Sequence, residues 1–76
     1  MTRKHFTAIA ITLGQQMRRY DERPAECQVI WETAIELARD FRVANPRFDV
    51  QRFLEFVRDV AEYRRDLDGK QIKGAA

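Results

Sequence analysis

Apolar residues recur every three or four positions along most of the chain, and this period predicts three amphipathic α-helices. The first covers about residues 3–20, the second 22–44 and the third 49–67. Residues 7–13 also alternate weakly and are rich in β-branched side chains, as a strand would be, but the helical period continues beyond them. Gly14 lies inside the first predicted helix at a cost of about 1 kcal/mol relative to alanine, so whether this helix is continuous is left open.

Residues at the predicted helix ends set the boundaries. Asp21 is a good cap for the second helix, and Pro24 is tolerated in its first turn. Asn45 and Pro46 end that helix, because the residue before a proline is disfavoured in the helical region. Asp49 is the predicted cap of the third helix. The flanking Phe48 and the residue four positions into this helix, Phe53, have the spacing at which two apolar side chains pack across a helix start.

Three helices joined by short turns alternate in direction, which predicts an all-α fold. The fold class is a small three-helix bundle, and a flatter, orthogonal arrangement of the same helices remains open. We expect one domain over residues 1–68. Asp68 and Gly69 close the third predicted helix, and the small polar residues that follow predict a frayed, flexible tail over residues 69–76.

Composition fits a small folded domain. The 76 residues are 45% hydrophobic and 34% charged, which is a globular balance. No uncharged apolar run approaches the roughly 20 residues that cross a bilayer, so no membrane association is expected. Cys27 is the single cysteine, which excludes an internal disulfide and favours a reducing, cytoplasmic location.

Catalysis has little support in the sequence. Cys27 and His5 could in principle form a nucleophilic pair, but Cys27 lies on an apolar stripe and His5 lies beside Arg3 and Lys4. The acidic pairs four residues apart lie on polar faces, where carboxylates stay solvated, and one Cys with one His makes no metal set. We therefore expect no enzymatic activity, no metal and no cofactor.

Nucleic-acid binding is the alternative function, since the sequence pI is about 9 and three short helices can form a helix-turn-helix. The third predicted helix is the candidate recognition helix. Acidic residues share its outer face and would repel phosphates, which makes this alternative weaker. The candidate nucleic-acid contacts are Arg47, Gln51, Arg52 and Arg58.

Protein binding is the preferred function because some apolar residues do not fit the predicted core. Ile11, Val29 and Val43 project off their stripes, and a merged patch would imply a partner or a second copy. Single exposed apolar residues are also ordinary, and basic residues at a helix end also stabilise that end. Arginine and tyrosine are favoured at interface centres. The candidate protein-binding residues are Ile11, Arg18, Arg19, Tyr20, Phe56 and Tyr63.

Two short segments carry a resemblance. Asn45-Pro46-Arg47-Phe48-Asp49, followed by Arg52-Phe53-Leu54, resembles a segment of short helical proteins encoded by bacteriophages and prophages, especially of actinobacteria. The opening Met1-Thr2-Arg3-Lys4-His5-Phe6 is similar to their usual start. The resemblance implies a small accessory protein in the cytoplasm of a bacterial host cell, acting on a host or phage protein and bringing no catalytic residues with it.

Overall fold

The computed structural model describes residues 3–63, which form three α-helices and no strand. Helix α1 is Arg3–Arg19, α2 is Pro24–Ala44 and α3 is Val50–Ala61. The predicted all-α three-helix bundle is confirmed, and residues 7–13 are helical. The predicted tail at 69–76 lies outside the described residues.

Helix α1 is continuous through Gly14, which answers the question that the sequence left open. Gly14 is buried and faces Val57 and Val60 of α3. Ala10, one turn earlier, is also buried. Small residues on this face of α1 allow α3 to approach closely, and α1 with α3 forms the most extensive helix contact of the bundle.

Helix α2 begins two residues later than predicted, and Asp21 is not its cap. The N-cap is Arg23, whose side chain makes no capping hydrogen bond. Pro24 occupies the first turn, where a missing backbone N–H costs nothing because the first N–H groups of a helix have no partner within it. The fixed φ of proline therefore determines this start.

The start of α3 is as predicted. The Asp49 side chain accepts a hydrogen bond of 3.0 Å from the backbone N–H of Arg52. The rings of Phe48 and Phe53 lie 5.5 Å apart, so the predicted apolar contact across the helix start is present.

The end of α3 differs from the prediction. The helix ends at Ala61 rather than near residue 67, and the backbone N–H of Glu62 closes its last turn. Tyr63 then adopts a φ of 62°, the left-handed region in which a helix commonly stops. The longer prediction depended on Leu67, which continues the apolar period of this helix in the sequence. The helix ends six residues before that position.

The core consists of small residues along the helices and an aromatic cluster at one end. Phe6 of α1 lies 5.0 Å from Phe41 of α2 and 4.6 Å from Phe48 in the turn, measured between ring centroids. Because Phe6 and Phe48 lie at the starts of α1 and α3, these two helices run in the same direction. The buried hydrophobic residues are Ala10, Ala34, Ala38, Phe53, Val57 and Val60.

Candidate protein-binding surfaces

Arg18 and Tyr63, both predicted as binding residues, meet where α1 and α3 end. The Arg18 guanidinium lies 4.2 Å from the centre of the Tyr63 ring, a cation–π contact. The Tyr63 hydroxyl donates a hydrogen bond of 3.4 Å to Oδ2 of Asp21. Tyr63 remains 52% exposed, whereas Arg18 is half-buried. This contact ties the ends of two helices together, so both residues have a structural role.

The helical period places one more predicted residue on this side of the molecule. Ile11 lies seven positions before Arg18 on the same face of α1, whereas Tyr63 lies beyond the end of α3 and shares no helix face with Phe56. Ile11 and Phe56 are both half-buried, and Phe56 packs against the core. Arg19 is exposed but is rotated about 100° from Arg18. The predicted surface is therefore only partly assembled.

An open groove between α2 and α3 was not predicted from the sequence. Its volume is about 680 Å³, and its apolar part comes from Trp31 on α2 and from the first turns of α3. Trp31, Val50 and Leu54 lie on the apolar stripes of their helices, yet each stays half-buried here. The residues that line the groove are Trp31, Arg42, Phe48, Asp49, Val50, Gln51, Leu54, Glu55 and Arg58.

Trp31 and Arg58 divide this groove from a smaller depression. The Arg58 guanidinium lies 5.1 Å from the centre of a Trp31 ring. Both residues also line the second depression, of about 340 Å³, which extends toward Met17 and Cys27. The two depressions therefore form one surface along α2 and α3 with an arginine–tryptophan pair in the middle.

Two arginines signal the open edge in the sequence. Arg58 lies four positions after Leu54, and Arg42 lies eleven positions after Trp31, so each shares a face with an apolar residue. A charged side chain on that face favours contact with solvent over closure of the helices. The positions of apolar residues along the helices do not reveal the groove by themselves, because they do not give the separation between helices.

The charged side chains that line the groove balance. Arg42 and Arg58 are positive, Asp49 and Glu55 are negative, and all four are exposed. Oδ1 of Asp49 accepts the Arg52 backbone N–H, and Oε1 of Glu55 accepts a hydrogen bond of 3.1 Å from the Gln51 side chain. The groove therefore has an apolar centre and a rim of mixed charge.

The candidate nucleic-acid residues do not form one open set. Arg47 and Arg52 are exposed. The Gln51 amide is bonded to Glu55, and Arg58 lies over Trp31, so two of the four are engaged within the chain.

Cys27 and His5 lie near opposite ends of α1. Cys27 Sγ donates a hydrogen bond of 3.2 Å to the backbone oxygen of Met17, whereas His5 is exposed in the first turn of α1. Twelve residues of helix separate His5 from Met17, a rise of about 18 Å. Across residues 3–63, no three His, Cys, Asp or Glu side chains are grouped so that they could hold a metal ion.

Over the same part of the chain, no helix has both the length and the apolar content needed to cross a membrane. Comparison with known proteins adds no relative: no family model, no curated protein and no solved structure matches this chain.

Proposed function

We propose that this chain is a small non-enzymatic protein that acts by binding another protein, with the α2–α3 groove as its main contact surface. The observation that carries the proposal is the half-buried Trp31 in an apolar groove with Arg58 over its ring. Tryptophan and arginine are enriched among the few residues that supply most of the free energy of binding at protein interfaces. An apolar centre with a polar rim is the usual anatomy of such interfaces.

The groove is preferred over the Arg18–Tyr63 side for a physical reason. Both surfaces hold an arginine over an aromatic ring, so this contact does not distinguish them. The apolar atoms of Leu54 and Val50 in the groove are open to solvent on one side, and covering them removes apolar surface from water. A partner therefore gains more from the groove.

The resemblance to phage-encoded proteins suggests where the proposed binding takes place. A small accessory protein of this type acts in the cytoplasm of an infected bacterium and occupies a surface of a host or phage protein. A DNA-binding regulator is the alternative, and it has weaker support because Gln51 and Arg58 are engaged within the chain.

Affinity capture from a bacterial lysate tests the proposal with two matched variants. Leu54→Gln makes the groove floor polar, and Arg19→Glu changes an exposed residue away from the groove. Thermal unfolding of both variants establishes that they are folded at the capture temperature. We expect Leu54→Gln to lose a protein that the wild type and Arg19→Glu both recover. Loss with Arg19→Glu but not with Leu54→Gln would show that the groove is the wrong surface.

A further inference from the structure

We propose that the contact of Tyr63 with Arg18 and Asp21 is a latch that selects the earlier of two ends open to α3. With the latch closed, α3 ends at Ala61. The Arg18 guanidinium lies 4.2 Å from the centre of the Tyr63 ring, and the Tyr63 hydroxyl donates a hydrogen bond of 3.4 Å to Oδ2 of Asp21. Opening the latch lets α3 continue past Tyr63.

Tyr63 has a backbone conformation that L-residues rarely adopt. Its φ is 62°, and among residues 3–63 it is the only non-glycine residue with a positive φ. In this region the Cβ atom crowds a backbone carbonyl oxygen, so the residue that follows a helix in this way is usually glycine. A tyrosine at this position disfavours the observed helix end, and contacts elsewhere must stabilise it.

The sequence offers a less costly end for the same helix further along the chain. Gly69 is the residue type that commonly ends a helix in the left-handed conformation, and Asp68 precedes it. Residues 62–67 contain neither glycine nor proline, and Leu67 continues the apolar period of α3. Local signals therefore favour an end near Gly69, whereas the observed end is at Ala61.

The contacts of Tyr63 supply what the local sequence lacks. Arg18 belongs to α1 and Asp21 follows that helix, so the fold fixes the position of both groups independently of α3. A cation–π contact at an exposed site and one exposed hydrogen bond are each weak, and a tyrosine in the left-handed region carries a cost of similar size. Because these opposing contributions are close, loss of the arginine contact is enough to change which end is favoured.

The length of α3 would change at one end of the molecule. Six further residues would add about 9 Å to the helix. Arg18 lies one residue before the end of α1, so turns added to α3 beyond Tyr63 would project past α1. A partner that binds the Arg18 guanidinium or the Tyr63 ring competes with the latch and shifts the population toward the longer helix. This side of the molecule can therefore couple binding to a change of shape.

The ¹³Cα chemical shifts of residues 62–67, measured on the full chain, test the proposal in three variants. Arg18→Gln removes the guanidinium and retains an aliphatic stem, which preserves packing on α1. Tyr63→Ala and Tyr63→Gly both remove the latch, but glycine adopts a positive φ without strain and alanine does not. We expect the shifts of Arg18→Gln and Tyr63→Ala to move toward helical values through residue 67. Tyr63→Gly should retain the wild-type end.

Three results would overturn the proposal. Helical shifts through residue 67 in the wild type would mean that the latch does not end α3. Extension of the helix in Tyr63→Ala but not in Arg18→Gln, or in neither, would show that the arginine contact does not select the end. Extension in Tyr63→Gly would show that the left-handed residue is not what stops the helix. Thermal unfolding of each variant establishes that it is folded at the temperature of the measurement.

Discussion

Gly14 of α1 lies so close to Val60 of α3 that a Cβ atom added to the glycine would come 2.5 Å from the valine Cβ. The same added atom would lie 2.9 Å from the backbone oxygen of Val57. No side chain other than hydrogen fits this space without movement of the helices. The α1–α3 contact is the most extensive in the bundle, and the groove lies at the α2–α3 junction, where the helix contact is least extensive.

Gly14→Ala should therefore destabilise the fold, although alanine favours a helix by about 1 kcal/mol relative to glycine. Overpacking of a buried site costs about 1–3 kcal/mol, and here the neighbours include a backbone oxygen, which yields less readily than a side-chain end. We expect a net loss of about 1–2 kcal/mol in the free energy of unfolding, measured by urea denaturation. Adding Val60→Ala should not restore the free energy of unfolding, because alanine at position 60 keeps its Cβ atom and the Val57 oxygen is unchanged. Increased stability of Gly14→Ala would contradict the packing described.

Asp49→Ala should lower the free energy of unfolding by about 1 kcal/mol, since the Arg52 backbone N–H then loses its acceptor at the start of α3. Asp49→Asn is the matched control, because asparagine caps helices about as well as aspartate. Chemical denaturation of both variants checks the expectation. Equal losses for alanine and asparagine would show that the charge of Asp49, rather than its capping hydrogen bond, supports α3.

Tyr63→Ala should cost about 0.5–1 kcal/mol, the usual worth of a cation–π contact at an exposed site, because Arg18 loses the ring that it covers. Tyr63→Phe retains the ring and gives up only a long, exposed hydrogen bond to Asp21, so it should stay close to the wild type. A double-mutant cycle with Arg18→Ala measures the coupling directly. A coupling free energy near zero would remove the structural role assigned to this pair.

Nonspecific duplex DNA should not bind at about 50 mM salt, where phosphate contacts made by a basic surface remain strong. The four candidate contacts include Gln51 and Arg58, which are engaged with Glu55 and Trp31. Fluorescence anisotropy of a labelled duplex makes the measurement. Binding that weakens steeply with added salt, and that Arg52→Ala reduces, would favour the regulator over the protein-binding domain.

The sequence predicted those parts of the fold that depend on local signals. Asp49, Phe48 and Phe53 define a helix start within six consecutive residues, and the structure places them as expected. The predicted start of α2 and the predicted end of α3 were wrong, because proline geometry and a tertiary contact determine these two boundaries. Pro24 rather than Asp21 fixes the start of α2, and Tyr63 ends α3 with its ring against Arg18.

The groove could not be predicted from periodicity. Trp31 and Leu54 lie on apolar stripes, as Ala34 and Val57 do, and a stripe does not show which of its members reach the core. The separation of the helices decides this, and it depends on small residues such as Gly14 that bring α1 onto α3. Of the predicted binding residues, Arg18 and Tyr63 are in direct contact. That these two residues bind a partner stays a prediction.

Trp31 provides the most direct measurement of the central claim, because it is the single tryptophan of the chain and lies in the groove. Acrylamide quenching of its fluorescence reports how far the ring is open to solvent. If the groove is the binding surface, saturation with a bound protein, either a captured partner or a second copy, should lower the quenching constant severalfold and shift the emission to shorter wavelength. Unchanged quenching at saturation would contradict the claim, because the partner would then be bound somewhere else.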